Sequence, residues 1–180
     1  MRRKSTTSGM MMDYIAQALL QLMETAPFAA ITVQQIAARA GVNRSTYYRH
    51  FSGKEDVLLH YLDQLMTRYE AALPAAQFAG LQPYLEAQFA FFYQYKTQLL
   101  TIYDSGQILL FLQVLNRHLR SVPDLEHADL LEKCRTAYHI GGIFNNYLLW
   151  LERRMQDSPQ DMAAAAARIL PQGFTPFLLR

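Results

Sequence analysis

The stretch Thr32–Lys54, TVQQIAARAGVNRSTYYRHFSGK, decides how this chain is read. Thr32 is placed to cap a short helix, and Gln35, three residues on, completes a capping box. Ile36, Ala37 and Ala40 give that helix an apolar face at helical spacing. Gly41 stands where a helix needs a residue at positive φ in order to stop. Val42 anchors the turn, and Asn43 can cap a second helix by accepting from the backbone of Ser45 or Thr46. The second helix carries Arg44, Ser45, Thr46, Tyr47, Tyr48, Arg49 and His50 before Phe51 returns to the core. Donors and hydroxyls crowded near a helix N-terminus are what a major-groove reader needs.

Outward from that segment, AGVNRSTYYRHFSGKEDVL is similar to the helix-turn-helix signature of the TetR-type bacterial transcriptional regulators. Ala40, Gly41, Val42, Thr46, Tyr48, His50, Phe51, Lys54 and Glu55 all fall in register, while Tyr47 departs mildly, an aliphatic residue being common there. A looser likeness, HIGGIFNNYLLWLERRMQDSPQDMA, is similar to the last two helices of one subgroup of the same family. The resemblance implies an all-α chain. Residues 10–72 are expected to form the helix-turn-helix domain, and residues 73–180 a larger helical ligand-binding and dimerisation domain.

Composition agrees with that class. A chain of 180 residues, 51% hydrophobic and 18% charged, is long enough for one or two packed domains. Its single cysteine, Cys134, excludes an internal disulfide framework and suits a reducing, cytoplasmic setting. No zinc-ligand spacing occurs, and no apolar run reaches the ~18 residues of a membrane helix. Charge is unevenly placed. Residues 1–54 hold Arg2, Arg3, Lys4, Arg39, Arg44, Arg49 and Lys54 against Asp13 and Glu24, a net charge of +5; the remaining ten basic and thirteen acidic residues leave −3. A basic end on a mildly acidic body suits phosphate binding through one end only.

Helical periodicity dominates elsewhere. Helices are expected at about 10–25, 54–73, 83–96, 107–119 and 128–154, with a last one capped by Ser158-Pro159-Gln160-Asp161. PAAQFAGLQ reads as a linker, and Arg2, Arg3 and Lys4 as a loose basic arm. In the longest helix, Leu130, Cys134, Ala137, Gly141, Phe144, Leu148 and Leu151 step by four and three, a heptad-like seam for a lengthwise partner. Cys134 is therefore expected to be buried, and Gly141-Gly142 to admit a closely packed helix or ligand.

The candidate DNA-binding residues are Thr32, Arg44, Ser45, Thr46, Tyr47, Tyr48, His50 and Lys54. Arg44, Ser45 and Thr46 occupy the first turn, Arg44 being suited to guanine O6 and N7. Tyr47 is expected on the exposed face, and Lys54 at the start of the next helix as a phosphate anchor. By the resemblance, Tyr48 and His50 reach phosphates. For a ligand, the candidates are Phe92, Tyr103, Phe111, Tyr138, His139, Asn146 and Trp150, an aromatic set with a few polar groups. For a dimer interface they are Phe144, Leu148, Leu151, Met162, Ala166 and Ile169.

The expected function is a sequence-specific DNA-binding regulator: a homodimeric repressor on a palindromic operator, released by an unidentified small-molecule effector. It needs no cofactor, metal or membrane. The alternative is a co-regulator whose C-terminal domain binds another protein. GxSxG, GxxxxGK[ST] and HExxH motifs are all absent, which argues against an enzyme.

Overall fold

The computed structural model describes residues 3–73, 78–120 and 128–169, and every regular element among them is helical. In order these are α1 (Arg3–Met23), a 3-10 turn (Phe28–Ala30), α2 (Val33–Arg39), α3 (Arg44–His50), α4 (Lys54–Ala72), α5 (Leu81–Tyr93), α6 (Lys96–Asp104), α7 (Leu109–Arg120), α8 (Leu130–Glu152) and α9 (Pro159–Ile169). The chain divides into two compact units, Met1–Leu65 with Thr101–Val114, and Met66–Leu100 with Leu115–Arg180. None of the helices is long and apolar enough to cross a membrane.

In the first unit α1 packs on α2, and α2 on α3. α1 turns Ile15, Ala16, Leu19 and Leu20 inward, where Ile36, Phe51, Val57, Leu58 and Leu62 complete the core. Asp13 Oδ1 meets His60 Nε2 at 3.0 Å and so ties α1 to α4 at the rim of that core. α1 is longer than periodicity suggests. It begins at Arg3, so Arg3 and Lys4 belong to helix backbone instead of a loose arm, and Arg2 lies outside the described residues.

In the second unit α9 lies along α5. Ala163 and Ala166 are its buried residues, small enough for two helices to come close. Across the unit the Tyr69 and Tyr84 hydroxyls share a hydrogen bond. Burial pushes the Tyr84 phenol up to about 12 and that of Tyr69 well above the ordinary range. α5 starts at Leu81, after Gly80 at φ 149°, so Pro83 falls inside the first turn, where a missing N–H costs nothing. The expected linker lies partly, and the tail beyond Ile169 wholly, outside the described residues.

The heptad seam of α8 is not one face. Leu130, Cys134 and Ala137 are exposed, whereas Phe144 and Leu151 are buried. The inward residues are Thr136, His139, Ile140, Phe144, Tyr147, Trp150 and Leu151. A straight helix rotates a heptad line by about 20° per repeat, so over three repeats a line that starts on the surface turns into the core. Cys134 is accordingly exposed. Among the described residues no atom stands within 4 Å of where a Cβ on Gly141 or Gly142 would lie, so none of the described helices makes the expected close approach.

Candidate nucleic-acid interface

The turn between α2 and α3 is built by local chemistry. The Thr32 hydroxyl accepts from Gln35 N–H at 3.2 Å, and Gln35 Oε1 accepts from Thr32 N–H at 2.8 Å, which closes the capping box. Gly41 sits at φ 67°. Around it Gly41 N–H donates to Ala38 O at 3.2 Å and Val42 N–H to Ala37 O at 2.9 Å, a Schellman end. Asn43 Oδ1 then accepts from Thr46 N–H at 2.8 Å and starts α3. The same oxygen faces the Ser45 and Thr46 hydroxyls at 2.7 and 2.8 Å.

α3 therefore leaves the turn with a defined outer face. Arg44, Ser45, Tyr48 and Arg49 are exposed, and Thr46 and His50 half-buried. Tyr48 is 53% exposed, with the Arg44 guanidinium 5.9 Å from its ring centre. Such a surface offers a planar cation, two hydroxyls and an aromatic ring in two turns of helix. Thr32, at the start of α2, is also exposed.

Two of the expected contact residues are placed otherwise. Tyr47 is fully buried (0% exposed), packing edge-on against Tyr48 at 5.4 Å and against Phe51 at 5.8 Å. A seven-residue helix needs an anchor to the core, and the spacing of Tyr47 and Phe51, four apart, is the sequence signal that identifies it. Burial, followed by the neighbouring Tyr48, Asp56 and Glu55 charges, pushes the Tyr47 phenol up to about 12. Lys54 turns back into the unit, and its Nζ donates to Phe28 O at 2.6 Å and Ile31 O at 2.8 Å.

The ligand candidates are distributed over both units. Phe92 and Trp150 belong to an aromatic cluster of the second unit. Phe92 lies 5.1 Å from the Tyr147 ring, and Phe89 lies 5.3 Å from Trp150 and 5.2 Å from Tyr147. His139 is buried, and burial lowers its imidazole to about 4, so it is neutral at physiological pH. Asn146 is half-buried, and Tyr138 is 84% exposed on the outer side of α8. Tyr103 and Phe111 fall in the first unit. Of the dimer candidates, Phe144, Leu151 and Ala166 point inward, Leu148 and Met162 are half-buried, and Ile169 is 70% exposed. The exposed large apolar residues of α8 are Leu130, Leu131, Tyr138 and Leu149, of which only Leu130 lies on the heptad line.

Residues 15–61 match the family described as bacterial regulatory proteins, tetR family. Over 76 residues, 42% of this chain, the sequence is 38% identical to the HTH-type transcriptional regulator EthR of Mycolicibacterium smegmatis, and the chain spans 35% of that relative's length. It is 32% identical over 76 residues to the nucleoid occlusion factor SlmA of Shewanella frigidimarina, spanning 39% of it. In fold the chain is similar to the fatty acid degradation regulator FadR of Bacillus halodurans, with a TM-score of 0.62 at 18% identity, covering 91% of this chain and 96% of that one. The match to the tetR family of bacterial regulatory proteins is carried by the segment that includes α2, α3 and their turn.

Proposed function

We propose that the chain is a homodimeric, ligand-responsive repressor that reads a palindromic operator in duplex DNA through α3. The observation that carries this reading is the outer face of α3: Arg44, Ser45 and Tyr48 stand exposed on a helix fixed at one end by the Asn43 cap and anchored by buried Tyr47. The net charge of +5 in residues 1–54 supports it, since phosphate attraction is long-range and sequence-independent. Arg44, Ser45 and Thr46 are assigned to base edges, and Tyr48, His50 and Thr32 to the backbone.

Two such helices in a dimer would enter successive major grooves about 34–36 Å apart. The dimer surface we assign is the outward strip of α8, Leu131, Tyr138 and Leu149, with Ile169 of α9, because these are large apolar side chains left in water by the chain's own packing. Gly142, exposed and open, lies on the same strip and would admit a close neighbour. The effector reading is supported by the aromatic cluster of Phe89, Phe92, Tyr147 and Trp150, on which an apolar ligand would act by favouring one arrangement of the unit over another. The outward strip also favours a second reading, in which it docks another protein.

Operator binding tests the proposal. With a duplex selected from random sequence, Arg44→Ala is expected to weaken binding by about 1–3 kcal/mol and relax preference at one base position. Tyr47→Phe is expected to leave affinity unchanged, its ring being inside. Loss of binding in Tyr47→Phe with none in Arg44→Ala would remove the assignment. For the dimer, sedimentation of Tyr138→Asp is expected to give protomers. A Tyr138→Asp chain that still pairs overturns the strip as the dimer surface and leaves the second reading in possession of it.

A further inference from the structure

The start of α4 combines three features that no DNA-contact role explains. The Lys54 ammonium has three N–H groups and meets three main-chain carbonyls: Phe28 O at 2.6 Å, Ile31 O at 2.8 Å and Ala29 O at 3.3 Å. It also lies 4.6 Å from the centre of the Phe28 ring. These carbonyls belong to the 3-10 turn after α1 and the residue that follows it, a helical end whose carbonyls favour a cation. Around Lys54 the charge has the wrong sign for phosphate. Asp56 Oδ2 accepts from Ser52 N–H at 2.9 Å, and Glu55 and Asp56 fill the first turn of α4. The Glu55 carboxylate lies against Gly53, 3.2 Å from where a Cβ would stand.

We infer that Lys54 is a positioning residue for α3 and contacts no phosphate: it locks the α3–α4 junction onto the α1–α2 junction and thereby fixes the angle at which α3 leaves the unit. The chain from Phe51 to Lys54 is short, and Phe51 is itself buried. With Phe51 in the core and Lys54 tied to the 3-10 turn, the C-terminal end of α3 is held at two points. The Asn43 cap holds the other end. A phosphate that approached Lys54 would have to break charge-assisted hydrogen bonds and face two carboxylates, an exchange with no gain.

The role in orienting α3 for DNA rests on the reading proposed above; the lock itself does not. Amine acetylation of the intact wild-type chain, followed by mass spectrometry, tests the lock without any substitution. Lys133, exposed on α8, serves as the internal reference. Lys54 is expected to react at least about tenfold more slowly than Lys133 in the free protein, because its lone pair becomes available only when the hydrogen bonds open. Equal rates would overturn the inference.

The second arm is the salt dependence of operator binding. Lys54→Met is expected to lower affinity at every salt concentration while leaving the slope of log K against log salt unchanged, whereas a lost phosphate contact reduces that slope by about 1. Lys54→Arg guards against a Met variant that fails to fold. A planar guanidinium cannot converge on three carbonyls as an ammonium does, so affinity is expected to fall. A phosphate contact would be kept or improved by arginine. Full affinity in Lys54→Arg, or a slope lowered by about 1 in Lys54→Met, overturns the inference. A wild-type chain that binds no duplex removes the DNA reading, and the acetylation rate still decides the lock.

Discussion

Two helix ends, one in each unit, close with the same hydrogen bonds and are built from different residues. After α2, Gly41 N–H donates to Ala38 O and Val42 N–H to Ala37 O. After α8, Arg154 N–H donates to Leu151 O at 2.8 Å and Met155 N–H to Trp150 O at 2.7 Å. The turn residue is left-handed in both, glycine at φ 67° in the first and arginine at φ 57° in the second, where Met155 at φ 49° follows it. A side chain in that region costs about 1–2 kcal/mol, which glycine avoids. The second end is held by its surroundings: Met155 is fully buried, Lys96 Nζ donates to Met155 O at 2.9 Å, Trp150 Nε1 donates to Asp157 O at 3.0 Å, and Arg153 pairs with Asp157. One turn is set by its own residue and the other by the unit around it.

The strongest way to break this contrast is to remove the surroundings. Trp150 is fully buried among Phe89, Tyr93 and Tyr147 and also holds the turn through its indole N–H. Trp150→Ala is expected to destabilise the chain by about 3–5 kcal/mol, read from urea unfolding. A loss under about 1 kcal/mol, below the range for a truncated core aromatic, would mean that the cluster is not the core of its unit.

Acid should weaken the second unit by a route of its own. His139 is held neutral by burial, its imidazole lowered to about 4 against the ordinary value of about 6.5. Between those values the unfolded chain binds the proton more readily than the folded one, so this contribution is intact above pH 6.5 and is lost as pH falls toward 4, up to about 3 kcal/mol in all. The melting temperature of wild type is expected to drop more steeply from pH 7 to 5 than that of His139→Gln. Parallel profiles would assign the acid sensitivity to other groups.

How far each region is legible in the sequence follows the same division. Thr32 with Gln35, Gly41 and Asn43 were readable because each acts within a few residues of itself, where residue type fixes geometry. The outer face of α3 was largely readable for the same reason. Tyr47 and Lys54 were not, because their partners, the core and the 3-10 turn, are set by tertiary packing. Lys54 reaches across 26 residues to Phe28, and nothing in local spacing announces it. In α8 a strict heptad pattern was legible as letters, but about 3.6 residues per turn carry such a line from the surface into the core. The end at Arg154 has no glycine to mark it, so a turn made by burial and a salt bridge left no sign in the residue itself.

The contrast is sharpened most finely by replacing each of the two turn residues. Gly41 has open space where a Cβ would go, so Gly41→Ala carries only backbone strain and is expected to cost about 1–2 kcal/mol. Arg154→Gly relieves strain of the same kind, but it also removes the interactions of the arginine side chain and adds freedom to the unfolded chain, so stability is expected to change by no more than about 1 kcal/mol. A left-handed turn residue at equivalent positions of one hydrogen-bond pattern is thus expected to respond strongly in the first unit and weakly in the second. Urea midpoints of the two variants, measured with unchanged slopes, read both effects directly. Should Arg154→Gly lose stability as Gly41→Ala does, the arginine is making contacts worth more than the strain it bears, and the end of α8 is specified by its own side chain after all.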